Sequence, residues 1–116
     1  TPITALLKDG YNLLDVIERL HPTPAVGGRP RDLALALIRE REDFDRGWYA
    51  APVGWLDAQG EGDFVVALRC ALLRGRQAML FAGCGIVATS DPEREYAEWR
   101  LKLTPMLSAL SGDSLQ

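Results

Sequence analysis

Apolar and polar positions alternate with a helical period in three stretches of the chain and with a strand-like period in three others. The strongest helical signal begins at Asp91-Pro92. Proline fixes φ where no N–H partner is needed, and Ser90 or Asp91 can cap the free amides. At roughly 100° per residue, Tyr96, Trp99, Leu103, Met106, Leu107 and Leu110 form an apolar stripe, with Glu95, Glu98 and Lys102 in a narrow arc at its edge. Earlier, Asn12 can cap a helix over Leu13–Leu20, with Leu13, Leu14, Ile17 and Leu20 on one side. Arg31–Arg41 predicts a second helix around Leu33, Leu35, Leu37 and Ile38, and the charged run 39–45 reads as its solvated end and a turn. Between these two, the run HPTPAVGGRP carries three prolines and two glycines in ten residues, which argues against regular structure. Such a loop either holds backbone close to a ligand or joins two helices, and the local sequence leaves both open.

From Trp48 onwards the period changes. Residues 49–56, 64–73 and 77–87 are β-rich and are separated by 57–63 and by Arg74-Gly75-Arg76, the spacing of a three-stranded antiparallel meander. Residues 4–7 read as the end of a further strand whose partners lie outside this chain, followed by a Lys8-Asp9-Gly10 turn. The expected fold is α+β: two helices, the meander, and a C-terminal helix packed back on the sheet.

Composition narrows the classes of function. The 116 residues, 47% hydrophobic, suit one domain or part of one. A net charge of −3 with both signs spread along the chain leaves no footprint for nucleic acid. No apolar run approaches the ~20 residues of a membrane span. The sequence starts Thr-Pro without a leader pattern and reads as a piece of a longer protein or a processed product, expected in the cytoplasm. Cys70 and Cys84 are too few for a disulfide framework, lack zinc spacing, and read as reduced thiols.

Three features carry candidate chemistry. Glu95, Glu98 and Lys102 sit beside a face that must be covered, so they either pair among themselves, as a solvated Glu98–Lys102 i,i+4 couple, or meet ions from elsewhere. Strand alternation places Arg69 with Val65, Ala67, Ala71 and Leu73, where a guanidinium needs a carboxylate from protein or ligand. Tyr49 could bring its hydroxyl near the same point. Gly83 and Gly85 bracket Cys84 in the third strand, a pattern of a bulge or of close approach to the backbone.

The ordered blocks HPTPAVGG, RGWYAAPVGWLD, GDFVVALR, FAGCGIV and DPEREYAEW, followed by Lys102, resemble the C-terminal portion of the chorismate-utilising enzymes. That family includes isochorismate, salicylate, anthranilate and aminodeoxychorismate synthases. The resemblance covers essentially the whole chain, 1–116, as the C-terminal part of a chorismate-binding catalytic domain. HPTPAVGG resembles the isochorismate synthases in particular, with Ala25 where anthranilate-type relatives carry a threonine.

The resemblance implies a set of roles. Glu98 matches a Mg²⁺-binding glutamate, with Glu95 bearing on the metal directly or through water. Arg69 and Tyr49 match the pair that holds the enolpyruvyl carboxylate of chorismate. Gly83 matches a glycine whose N–H contacts a substrate carboxylate, and Lys102 a lysine of the same pocket. Cys84 stands where the family usually has alanine. The implied reaction adds water at C2 of chorismate as the C4 hydroxyl leaves. The general base, a lysine, and the general acid, a glutamate, both lie upstream of this chain. The chain is therefore expected to hold half an active site, to be inactive alone, and to self-associate through exposed edges. A salicylate synthase that goes on to eliminate pyruvate, and a non-enzymatic binding or association module, are the alternatives.

Overall fold

The computed structural model describes residues 1–112. These form two compact units, one built from residues 1–44 and 51–66, the other from 45–50 and 67 onwards.

The first unit holds helices α1 (Leu13–Leu20), α2 (Pro24–Gly27) and α3 (Arg31–Arg41), with strands β1 (Pro52–Leu56) and β2 (Gly62–Val66). Asn12 caps α1 as its residue type predicts. Its Oδ1 accepts from the Leu14 and Asp15 amides at 2.8 and 3.3 Å, and Asp15 Oδ2 accepts the Asn12 amide at 2.8 Å. This reciprocal pair satisfies amides that a bare helix end leaves open. The run of prolines and glycines is not wholly irregular, contrary to expectation. Pro24 supplies a first helical position and one turn forms before Gly28 ends it at φ +76°. A Cβ on Gly28 would come within 2.6 Å of the Ala34 methyl, so glycine is required there on two counts. The Arg31 guanidinium donates to the His21 carbonyl and ties the two ends of the loop. Strands β1 and β2 pair antiparallel from Pro52↔Val66 to Leu56↔Gly62. Asp57 Oδ1 organises the turn between them by accepting from the Gln59 and Glu61 amides, both at 2.9 Å.

The second unit holds β3 (Cys70–Arg74), β4 (Gln77–Phe81) and α4 (Pro92–Ser111). The strands pair antiparallel from Cys70↔Phe81 to Arg74↔Gln77, and α4 packs on β4. Asp91, not Ser90, caps α4, accepting the Arg94 amide at 2.9 Å.

The α+β class and the three predicted helices stand, but the meander does not. The strands form two separate two-stranded sheets, β1-β2 and β3-β4. The expected strand 64–73 breaks at Ala67–Arg69, because Arg69 adopts φ +49°, a left-handed conformation that no strand accommodates. Tyr49 lies in a turn rather than opening a strand, with its amide donating to the Arg46 carbonyl at 2.8 Å, and Ala50 follows at φ +63°. The third strand stops at Phe81 instead of reaching 87, and residues 4–7 pair with no strand of this chain. Among the described residues no helix is long and apolar enough to cross a membrane.

Burial is shallow. Among the described residues Ala50 and Phe81 are the buried hydrophobic ones, while Ile3, Leu6 and Trp48 are 91%, 99% and 81% exposed. On α4 the half-buried positions are Glu95, Trp99, Lys102, Leu103, Met106 and Ser108, whereas Tyr96, Leu107 and Leu110 face solvent. The covered face of α4 is thus turned towards the charged edge of the expected stripe.

Candidate active site

That rotation has a local cause in the segment that leaves β4. Residues 82–84 run beside α4, and side chains of the helix take the carbonyls of Ala82 and Gly83. Trp99 Nε1–H donates to the Ala82 carbonyl at 3.1 Å, and Lys102 Nζ donates to the Gly83 carbonyl at 3.0 Å. In return the Cys84 thiol donates to the main-chain carbonyl of Glu95 at 3.2 Å. Glu95, Trp99 and Lys102 are spaced i, i+4, i+7, which stacks them on one helical face. Three contacts along one face fix the register of helix against segment.

Tyr49 reaches the same segment from the other side. Its ring stacks on Phe81 with centroids 5.4 Å apart and planes 15° apart, and the Arg46 guanidinium lies 5.6 Å from its centroid. Its hydroxyl abuts Gly83 so closely that any Cβ there would overlap it. Gly83 is therefore a glycine because the Tyr49 hydroxyl occupies the space of a side chain, with Lys102 on the carbonyl of the same residue.

The charges converge at this point. Lys102 Nζ is 2.5 Å from Glu98 Oε1. That bond holds the ammonium's pKa above its ordinary value, while burial and the nearby Arg69 guanidinium oppose it. Arg69 is exposed and left-handed rather than on a strand face, yet its charge is felt by Lys102. Burial pushes the Cys84 thiol up; Lys102 opposes this, and Glu98 and Glu95 add to it. Two non-glycine residues at positive φ, Ala50 and Arg69, flank the site, and strained backbone of this kind clusters where ligands are held.

Glu95 is tied through Oε1 to the Ser90 hydroxyl at 2.7 Å. Glu95 and Glu98 lie one turn apart on α4 and offer hard oxygen donors only. No group of three or more His, Cys, Asp or Glu side chains that could hold a metal occurs among the described residues. A pair of carboxylates fits Mg²⁺, which takes one or two from protein and completes its shell with substrate oxygens and water.

The structure thus brings Tyr49, Gly83, Glu95, Glu98 and Lys102 to one corner, with Arg69 beside it. Ala25 lies exposed on α2 in the first unit. Sequence reasoning missed Trp99 as a donor, having read it only as apolar stripe. It also missed the Ser90 contact with Glu95; the single signal for it was a serine just outside a capped helix start.

Comparison with known proteins identifies the family. The model of the family described as chorismate binding enzyme matches residues 1–111. A Bacillus subtilis protein named isochorismate synthase MenF is 54% identical over 113 residues, which are 97% of this chain and 24% of that protein. A Pseudomonas aeruginosa protein named salicylate biosynthesis isochorismate synthase is 59% identical over 112 residues, again 97% of this chain and 24% of the relative. A crystal structure assigned to the 2,3-dihydroxybenzoate-specific isochorismate synthase DhbC of Bacillus anthracis superposes with a TM-score of 0.82. It is 42% identical, over 86% of this chain and 27% of that one. The chain spans about a quarter of the length of these relatives.

Proposed function

Because this chain belongs to the chorismate-binding enzymes, we propose that it is the C-terminal part of an isochorismate synthase and forms one wall of its active site. The observation that carries this reading is the meeting of the Tyr49 hydroxyl, Gly83 and Lys102 beside the Glu95 and Glu98 carboxylates. Such a corner can take a dianionic substrate and a divalent cation together. Arg69 and the Tyr49 hydroxyl hold the enolpyruvyl carboxylate of chorismate, the guanidinium by a paired donor fork. The Gly83 N–H serves a second carboxylate oxygen. Its peptide unit is oriented for this by Trp99, whose indole N–H donates to the Ala82 carbonyl at the other end of that unit.

Lys102 is not a base in this scheme. Its ammonium is engaged by the Gly83 carbonyl, and the resemblance assigns the base to a lysine upstream of this chain. Lys102 supplies fixed positive charge, and the proton acceptor and donor of the hydroxyl exchange come from upstream segments. Glu98 and Glu95 would hold Mg²⁺, which when bound neutralises the ring carboxylate and polarises the ring for displacement. On the resemblance, the small side chain of Ala25, where anthranilate-type relatives carry threonine, leaves room for the attacking water in the complete enzyme.

Large exposed side chains such as Ile3, Leu6 and Trp48 are surface for the rest of the enzyme to cover, and in its absence surface for self-association. The test is product analysis of the full-length parent with chorismate and magnesium. Isochorismate without pyruvate is the expected result, whereas salicylate and pyruvate would place the parent among the salicylate synthases. The 116-residue chain alone should turn over no chorismate.

A further inference from the structure

Ser90 belongs to neither the cap of α4 nor any role assigned above, yet its hydroxyl is fully engaged. Its Oγ accepts the Val87 amide at 3.1 Å and donates to Glu95 Oε1 at 2.7 Å. The Ser90 amide in turn donates to the Val87 carbonyl at 2.9 Å, which closes residues 87–90 into a turn. A hydroxyl has one proton. With the Val87 amide pointing at its oxygen, that proton is directed to the carboxylate. The neighbouring Asp91 carries the capping duty separately, through the Arg94 amide.

We propose that Ser90 is a positioning residue for the Glu95 carboxylate, setting one of its oxygens so that the other is presented to the cation at this corner. The inference rests on the reading of Glu95 as a residue of the metal site. A glutamate in the first turns of a helix has three torsions to settle, and ordering it on binding a cation costs affinity. The Val87–Ser90–Glu95 chain orders it beforehand. Outer contacts of this kind orient carboxylate ligands elsewhere, and their loss lowers metal affinity by about 10- to 100-fold. The contact reaches Glu95 from outside α4. The side chain is thereby fixed relative to the 82–90 segment and to Gly83, and not only to its own helix.

The experiment is calorimetric titration of Mg²⁺ into the full-length parent and into Ser90→Ala, Ser90→Thr, Asp91→Ala and Glu95→Gln, with thermal melts of each. Ser90→Ala should bind Mg²⁺ about tenfold more weakly or worse. Ser90→Thr, which keeps the hydroxyl, should restore most of the affinity. Asp91→Ala should lower the melting temperature through the lost cap and leave Mg²⁺ affinity at the wild-type value. If Ser90→Ala binds Mg²⁺ as wild type while Glu95→Gln does not, the positioning role is overturned and the metal reading survives. If Asp91→Ala weakens binding as much as Ser90→Ala, the effect belongs to the helix end and the proposal falls. If Glu95→Gln itself binds as wild type, Glu95 leaves the metal site and the role of Ser90 goes with it.

Discussion

Lys102 stands 2.5 Å from Glu98 one helical turn away, and the same ammonium is 3.0 Å from the Gly83 carbonyl. One cation therefore joins the carboxylate edge of α4 to the glycine on which the Tyr49 hydroxyl rests. Glu98 keeps 57% of its side chain exposed, so the ion pair itself contributes only a few tenths of a kcal/mol. A tie of that strength orients Glu98 without binding it so firmly that a divalent cation could not replace the ammonium.

The Trp99 contact is the stronger structural tie. Trp99→Phe keeps most of the apolar contact with α4's neighbours but removes the donor to the Ala82 carbonyl, leaving a half-buried acceptor unpaired. The expected loss is about 1–2 kcal/mol, read as a lower midpoint in urea denaturation of the full-length parent. An unchanged midpoint would mean that water replaces the indole at no cost.

Cys84 reports on the same corner through its ionisation. Burial raises the thiol above its ordinary 9.0, so the folded state favours the neutral form. For an acid raised on folding, the contribution to stability is present below the ordinary value and is lost as pH rises past it, because the unfolded thiol ionises first. Alkylation of Cys84 by iodoacetamide in the full-length parent, followed on its peptide by mass spectrometry, should show a rate midpoint above pH 9.0. Lys102→Met should move the midpoint higher still, since the ammonium favours the thiolate. A midpoint below the ordinary value in the parent would contradict the burial seen here.

Local features of the fold were legible where one residue decides the outcome. Asn12 before Leu13 and Asp91-Pro92 before α4 each announce a helix start, and both helices begin there. The sheet was misread because alternation continues smoothly from Phe64 to Leu73, and nothing in the residue types marks Arg69 as left-handed. That conformation is set by tertiary context: the Ala67 carbonyl takes the Ala50 amide at 2.8 Å, and the chain turns there out of β2. The face of α4 was misjudged for a related reason. Periodicity ranks Tyr96 and Leu107 above Lys102, but the Ala82 and Gly83 carbonyls reward the donors of Trp99 and Lys102 over apolar area. Glu95, Glu98, Lys102, Arg69 and Gly83 stood out by residue type and spacing and the family resemblance implied their roles, whereas Tyr49 against Gly83 is a long-range contact that no local pattern encodes.

Ala25 tests the water side of the reaction. It is exposed on α2, so a larger residue there costs the chain itself little. In the full-length parent, Ala25→Thr should shift products towards pyruvate elimination or lower the yield of isochorismate, as the threonine takes space used by the attacking water. Quantifying isochorismate and pyruvate from one reaction is the check. The same ratio and rate as wild type would reduce Ala25 to packing.

Glu98→Gln separates the two meanings of the charged edge. The substitution keeps the size of the side chain and most of its hydrogen-bonding capacity, but removes the charge that a hard cation requires. If Glu98 serves only its pair with Lys102, the loss is a surface ion pair. Stability then falls by ~0.5 kcal/mol or less and catalysis is untouched. If Glu98 holds Mg²⁺, the stability change is equally small, because the same pair is lost, but activity falls by about 100-fold or more. Stability alone therefore cannot distinguish the readings, since the ion pair is present in the structure either way. The distinguishing measurement is the steady-state rate of the full-length variant across a magnesium titration, with thermal melts at zero magnesium alongside. The expected outcome is a melt close to wild type, a depressed rate, and a half-saturating magnesium concentration moved far upward. Wild-type rate with wild-type magnesium dependence would remove Glu98 from the site and leave Lys102 as the anchor of Gly83 alone.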